Sequence, residues 1–491
     1  MDRYDHVPYD SMPIAEADPA RLFAVARLFG VPVPERWRVL EIGCGAGGHL
    51  VPLAARHPDD TWVGFDRATL PVQQAQGLAA RLGATVDVVQ LDLEDAVDAL
   101  AGGSRPEAYD LIIAHGVYSW VPEAVQHAFL SLLARWLAPH GIAYLSVNCL
   151  PGWGLRGTLG AMLRYVAGDG APEQQIGRAR AFTALLADLV PETDPYGAWL
   201  RREAALIEQQ PDSWMFHDLL APTNRPVWLH ELVAEAGEHG LQYLGDAKLD
   251  AMLPDRLPSA VQARLASLGG GQVQQEQLLD FVLARSFRRV LLCREQVPLS
   301  RELGPEVVEG LWVRGRLVGE GEGRFRSLDG DELSTASPLL RAVFGALAER
   351  RPEAVAVAEL EKLGDPGTVR SNLLLAASRG LVELRSRGDG LVGRPGVRPV
   401  AEGVAAALAA DGLVPSVLCQ RVRLDGLERV MLPLLDGTRD TAALVDALVA
   451  SGFTVSDRGG TVVSEGALRG WLEVEVPQRL RGMARSGLLV G

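Results

Sequence analysis

Four glycines, Gly43, Gly45, Gly47 and Gly48, crowd into the stretch 37–53, WRVLEIGCGAGGHLVPL. An apolar run, Val39-Leu40-Glu41-Ile42, precedes them, and a second apolar run from Leu50 to Ala55 follows. Strand, glycine turn, helix is the layout of a nucleotide-binding βα unit. Glycines let the chain turn tightly and let a ligand lie against bare backbone. The helix start then offers free N–H groups to the ligand's polar parts. Gly43, Gly45 and Gly48 fit a GxGxxG spacing, with Asp66 at about the right distance, which leaves a dinucleotide open. Glu41 points elsewhere, because an anionic pyrophosphate gains nothing from a carboxylate beside the turn, whereas a cationic group does. A second chemistry-bearing stretch is His115-Gly116-Val117-Tyr118-Ser119-Trp120-Val121-Pro122. Tyr118 and Trp120 could wall in an ammonium or sulfonium by cation–π attraction, or pack the following helix onto a sheet. We read Tyr118 as lining a site and Trp120 as packing.

These residues need a scaffold, and the chain supplies one. Strands are expected at 61–66, 86–92, 109–116 and 141–148, with helices at 70–82 and 123–137 between them. Alternating strands and helices imply an α/β fold with a doubly wound parallel sheet, whose ligands gather at the carboxyl ends of the strands. Glu41, Asp66, Asp92, His115 and Asn148 all fall there. Asp66 closes its strand where a carboxylate can accept both hydroxyls of a ribose. Ahead of the sheet, 1–36 reads as a cap: an extended, non-helical opening holding Tyr4 and Tyr9, then a helix at 21–29 announced by Asp18-Pro19. The two tyrosines either fold over a cofactor as a lid or form a packing arm. Beyond Asn148 come helices near 155–166, 174–189 and 196–209, a loop at 213–218 containing His217, and a helix at 227–237. Strands at 241–246 and 287–294 are expected to close the sheet in antiparallel fashion, leaving 150–225 as a helical insert over the site.

The Glu-x-Gly-x-Gly-x-Gly pattern of Glu41, Gly43, Gly45 and Gly47 resembles the first motif of class I S-adenosylmethionine (SAM) methyltransferases. Further segments, YDHVPYDS, HGVYSWVP, NCLPGW, FHDLLAP, EHGLQYLGDA and EQLLDFVLARSFRRVLLCR, are similar to bacterial SAM-dependent methyltransferases that carry a methyltransferase regulatory domain. That likeness covers about residues 1–300. The best understood members of the family are protein-lysine methyltransferases acting on outer-membrane or surface proteins of bacteria. The resemblance implies a Rossmann-like methyltransferase sheet with SAM as cofactor. Glu41 would act on its aminopropyl end, Asp66 on the ribose and Asp92 on the adenine amino group, with Leu93 and His115 also binding cofactor. It implies an acceptor side built around His115, Tyr118, Trp120 and His217. His115, His217 and Tyr118 are candidate bases, and proton release to water is an equal alternative. No metal is required.

With 491 residues the chain is long enough for about three domains. A net charge of −14 argues against a nucleic-acid-coating surface. Four scattered cysteines with no paired ligand spacing argue against structural zinc and suit a reducing cytoplasm. The N-terminus is no signal peptide, and no run of about 18 apolar residues exists for membrane insertion. Residues 226–297 are read as the end of the sheet, 298–395 as a winged-helix-like module with helices at 338–349, 354–363 and 368–379 and a strand at 381–385. Residues 396–491 form a further helical or winged-helix-like module with a hairpin near 457–460. Balanced charge in this last third disfavours DNA and favours a docking or homodimerising role. The reading is a SAM-dependent methyltransferase acting on a protein lysine. The alternatives are a small-molecule N- or O-methyltransferase, or a SAM-binding scaffold without turnover.

Overall fold

The computed structural model describes residues 3–7, 9, 11–96, 107–255, 257–456 and 462–491. β1 (Arg38–Ile42) is a nearly unbroken run of buried side chains. Only a central strand covered by helices on both faces can satisfy such a run. It is flanked by β2 (Thr61–Asp66) and β4 (Tyr109–Ala114), with Leu40 in register between Val63 and Ile112. With β3 (Asp87–Gln90), β5 (Leu137–Asn148), β6 (Leu241–Asp246) and β7 (Phe287–Arg294) they form a seven-stranded sheet in the order β3-β2-β1-β4-β5-β7-β6. β7 is antiparallel to both neighbours. The expectation that both closing strands run against the sheet is therefore corrected: β6, antiparallel to β7 alone, points the same way as β1–β5. The reason is a crossover helix, α8 (Leu229–Glu238), which carries the chain back along the sheet before β6 begins, as a parallel return requires.

Helices α1 (Pro19–Leu28), α2 (Leu50–Arg56) and α3 (Thr69–Leu82) precede α4 (Glu123–Trp136) along the chain. α5 (Gly152–Ala167), α6 (Pro172–Leu189) and α7 (Pro195–Gln209) form a separate helical layer with its own core of Leu159, Leu163, Ile176, Leu200 and Ile207. Two expectations differ from the structure here. The N-terminal stretch holds a short helical turn, Arg3–His6, because Arg3 reaches the carbonyl oxygens of Phe216 and Leu220 at 2.8 and 3.3 Å and stacks over the Phe216 ring. The stretch expected as a loop at 213–218 is wound into helical turns ending in a π-helical turn, Met215–Leu219, which turns Met215, Phe216 and Leu219 into the insert's core.

The remaining chain packs against this body through apolar contacts, with Phe23 and Leu28 of α1 in one buried cluster with Val313 and Leu384 and with Ala55, Leu78 and Leu82 against the last module's core, and through charged groups. β8 (Trp312–Gly315), β12 (Ala354–Ala356) and β13 (Val382–Arg385) form one small antiparallel sheet. Another joins β9 (Leu317–Gly321), β10 (Arg324–Ser327) and β11 (Glu332–Ser334). The helix expected at 354–363 begins instead as β12, whose buried Val355 pairs with Val313 of β8, and turns helical only from Val357. Asp18 caps α1 by accepting from the Ala20 N–H at 2.9 Å, and its other oxygen accepts from Arg385 at 2.7 Å. Burial is the largest influence and opposes ionisation of Asp18, but Arg385 and Arg314 together hold the carboxyl below its usual value. In the last module Arg56 of α2 pairs with Glu402 at 3.0 Å and Arg81 of α3 with Asp411 at 2.7 Å. The hairpin expected near 457–460 lies outside the described residues; Ser456 and Val462 beside it pair as an antiparallel bridge. Among the described residues no helix is long and apolar enough to cross a membrane.

Beneath β6 and β7 lies a buried ionic network. Arg288 donates to both oxygens of Asp280, at 2.8 and 2.9 Å, and to Glu276 at 2.8 Å, and Tyr243 also donates to Glu276 at 2.8 Å. Removing one partner strands uncompensated charge in a dry interior. Arg288→Ala is expected to lower the unfolding free energy by about 3–5 kcal/mol, read from urea denaturation. A loss below about 1 kcal/mol would show that water reaches the network.

Candidate functional site

The turn after β1 is shaped by backbone conformations that favour glycine. Gly43, Gly45 and Gly47 have φ of +72°, +53° and +74°, so the alternating set Glu41, Gly43, Gly45, Gly47 is the one the geometry uses. Gly48 has a different task. A Cβ there would sit 2.2 Å from the Ser11 carbonyl oxygen, and its N–H donates to Ser11 Oγ at 2.8 Å. His49 adds a second clip: Nδ1 accepts from the Ile14 N–H at 3.1 Å, so Nε2 carries the hydrogen that faces the Ala17 carbonyl at 3.3 Å. Burial pushes His49 down to about 4, which keeps the ring neutral for this double role. The N-terminal arm is thus fastened over the glycine turn. Ser11 and His49 were missed in the sequence because neither carries a recognisable spacing; their partners are 37 and 35 positions away.

Around this turn the expected cofactor residues converge in part. Glu41 is only 4% exposed, and its Oε2 has no hydrogen-bond partner among the described residues. Burial, with a smaller push from Asp66, raises its carboxyl to about 8. An orphaned buried carboxylate oxygen beside a glycine cradle fits a ligand with a positively charged end, such as the aminopropyl group of SAM. Asp66 accepts from the Gly45 N–H at 2.9 Å with one oxygen and from the Ala68 N–H at 2.9 Å with the other. These bonds fix its plane, and a carboxylate so held retains acceptor capacity for a diol. Asp92 lies two residues past the end of β3, exposed, with Oδ1 facing the Glu94 N–H at 3.5 Å. Leu93 is half-buried and packs with the apolar side chains below that loop.

On the acceptor side, the structure separates residues that the sequence groups together. Tyr118 is fully buried, edge-on to Phe129 of α4, with its hydroxyl directed at Glu235 of α8 at 3.4 Å. Its reading as a site-lining residue is corrected: it packs helices. The cause is the 3-10 turn Tyr118–Trp120, in which side chains two positions apart point about 120° away from each other and so face different surroundings. Trp120 is the half-buried one, edge-on to Trp153 of α5 at 6.3 Å. His115 stacks on Tyr144, with Nδ1 3.0 Å from its hydroxyl. Burial, reinforced by the Arg289 cation, pushes His115 down to about 4, which makes it a neutral polar group and a weak base. His217 holds the arm. Its Nε2 lies 2.6 Å from the Val7 carbonyl, so that nitrogen carries the hydrogen, and Tyr4 stacks flat on the ring at 4.2 Å with Tyr9 edge-on at 5.7 Å. Tyr4 and Tyr9 therefore join the arm to the insert. A cleft of about 400 Å³ opens beside them, lined by Trp153, Arg156, Arg164, Asp218, Asn224 and Pro226 among others. Among the described residues no group of three His, Cys, Asp or Glu side chains could hold a metal ion.

Three family models match the chain: "methyltransferase domain" over residues 39–141, "predicted methyltransferase regulatory domain" over 211–294, and "PKMT, C-terminal winged helix domain" over 395–488. The uncharacterized protein RP789 of Rickettsia prowazekii (strain Madrid E) is 31% identical over 365 residues, which is 70% of this chain and 65% of its own length, just under two thirds. The uncharacterized protein RP028 of the same organism is 30% identical over 237 residues, 48% of this chain and 93% of its own. PKMT2 from Rickettsia typhi, solved in complex with AdoHcy, superposes with a TM-score of 0.86 at 25% identity, covering 99% of this chain and 100% of that one.

The raised Glu41 carboxyl has a consequence for stability. The native state binds the Glu41 proton more tightly than the unfolded chain does, so cofactor-free protein should lose stability as pH rises from about 4.5 through about 8. Glu41→Gln is expected to flatten that slope in thermal melts across this window, and an unchanged slope would contradict the burial argument.

Proposed function

Because this chain belongs to the bacterial SAM-dependent methyltransferases with a regulatory domain and a PKMT-type winged-helix domain, we propose that it methylates lysine side chains of a protein. The observation that carries the reading is extent: the likeness to PKMT2 runs through the insert and both C-terminal modules, beyond the cofactor-binding sheet. When bound, SAM would supply a sulfonium-activated methyl carbon for the acceptor nitrogen's lone pair, with AdoHcy as the leaving group. The chain's own work is alignment. In this reading Glu41 faces the aminopropyl end, Asp66 holds the ribose, Asp92 and Leu93 border the adenine, and the glycine turn gives close backbone approach at Gly43, Gly45 and Gly47. The N-terminal arm, clipped by Ser11 and His49, shields the cofactor from water. The four buried free cysteines suit a reducing, cytoplasmic setting.

A small-molecule amine is the second reading, favoured by the modest size of the cleft, which admits an alkylamine without any peptide around it. We also propose a homodimer through the insert, whose α5 and α6 expose Leu155, Tyr165 and Leu189 at 59%, 89% and 68%. Tyr165→Glu is expected to convert a dimer to a monomer in light scattering, and a wild-type monomer at all concentrations would end that part of the reading.

The test of function is transfer of label from methyl-labelled SAM into bacterial extracts separated into protein and small molecules. Label is expected in protein, on lysines located by mass spectrometry. Asp66→Ala is expected to remove at least about 90% of it, since losing a charge-assisted acceptor costs about 1.5–3 kcal/mol. Label confined to small molecules would favour the second reading.

A further inference from the structure

The methyl-accepting amine needs a partner that neither His115 nor His217 provides. One is a weak base already engaged with the Tyr144 hydroxyl, and the other has its Nε2 hydrogen committed to the arm's backbone. Asp218, the next residue after His217, stands in a different position. It is half-buried on the π-helical turn, it lines the cleft, and one of its oxygens accepts from the Tyr9 hydroxyl at 3.5 Å.

The cleft is anchored to three separate loops at the carboxyl edge of the sheet. Tyr9 lies two residues before Ser11, which is bonded to the glycine turn after β1. Trp153 meets Trp120 from the loop after β4. Asn224 accepts from Asn148, the last residue of β5, at 3.3 Å. A carboxyl placed in that cleft is therefore tied, through Tyr9, Trp153 and Asn224, to the segments that border the glycine turn and the ends of β4 and β5.

We propose that Asp218 is the acceptor-docking residue: its carboxylate receives the lysine ε-ammonium in the cleft and takes its proton. This rests on the protein-lysine reading above. The step balances as one proton moved. A lysine N–H bond breaks, an O–H bond forms on Asp218, and the electron pair of the broken bond stays on nitrogen as the lone pair that methylation consumes. The proton then leaves Asp218 to solvent before the next turnover. Burial pushes the Asp218 carboxyl up to about 7, against the lowering effects of the Tyr9 hydroxyl and Arg156. That brings a carboxylate's proton affinity towards the operating pH, as a proton acceptor requires. Among the described residues, the charged and titratable groups around it are Tyr9 from the arm, His217 on its own turn, and Arg156 and Arg164 from α5. Arg156 is already held by both oxygens of Glu203, at 2.8 and 3.0 Å, and Arg164 reaches the Leu219 carbonyl at 3.2 Å.

The test uses the full chain and the acetylated, amidated peptide Gly-Gly-Lys-Gly-Gly, with its norleucine counterpart as control. Two readouts are taken across pH 6–9: peptide binding by calorimetry in the presence of AdoHcy, and methyl transfer. Wild type is expected to bind the lysine peptide over the norleucine one, with transfer rising as pH passes about 7. Asp218→Asn is expected to keep its affinity for AdoHcy, which reports an intact fold. It should lose the preference for lysine and cut transfer by about 100-fold with no rise near neutrality. Asp218→Glu should restore part of the rate. Tyr9→Phe removes a bond that favours the ionised carboxyl, so the rise should move to higher pH. Asp218→Asn that binds lysine peptide and transfers methyl like wild type would overturn the Asp218 assignment alone. Wild type that binds AdoHcy yet neither prefers nor methylates the lysine peptide would overturn the lysine reading and this assignment with it.

Discussion

The bond from the Gly48 N–H to Ser11 Oγ is the constraint on which the site's geometry depends. It joins the one turn that must stay bare for a ligand to a strand of chain that must lie close enough to cover it. With His49 gripping the arm at Ile14 and Ala17, the arm has a fixed exit, and the residues before it are delivered to the insert. There Tyr4 and Tyr9 meet His217, and Arg3 meets Phe216. Cradle and cleft are thereby two ends of one strap. A displacement of the arm at Ser11 would be felt at Asp218 through only two intervening residues.

Charged groups orient the outer modules, beside an apolar core that the middle module shares with the cap helix and the sheet. Asp18 serves at once as the cap of α1 and as the partner of Arg385, so the cap helix cannot shift without disturbing the middle module. Arg385 and Arg314 share Glu383 and Asp389, and this cluster is nearly buried. Such pairs add little net stability compared with apolar packing, but they penalise every misplacement, because each one strands a desolvated charge. Arg56 with Glu402, also nearly buried, extends the same principle to the last module. The outcome is a fixed orientation of the C-terminal modules relative to the cofactor-binding sheet.

Much of the sheet was legible because its signals are local. A buried parallel strand reads as an unbroken apolar run, a glycine turn reads as glycines, and an acid at the end of a strand reads from the boundary itself. Glu41, Asp66 and the set Gly43, Gly45 and Gly47 belong to that class. Tyr118 does not, since its direction depends on a 3-10 turn whose onset no pattern announces. The direction of β6 depends on where a helix of another segment returns the chain. Asp218 was visible as a letter in a motif, yet its meaning depends on a cleft that α5 and the segment 218–226 form together.

By itself, then, the sequence determined which backbone turn could cradle a nucleotide-like ligand and which carboxylates stood at the strand ends, because those features are set by residues within a few positions of one another. Tertiary structure alone decided which aromatic side chains are buried against helices, how the arm closes over the glycine turn, and which carboxyl lines the cleft beside it. Those outcomes rest on contacts between residues as much as 217 positions apart. Burial, which sets the proton affinities of Glu41, His115 and Asp218, exists only after those contacts form.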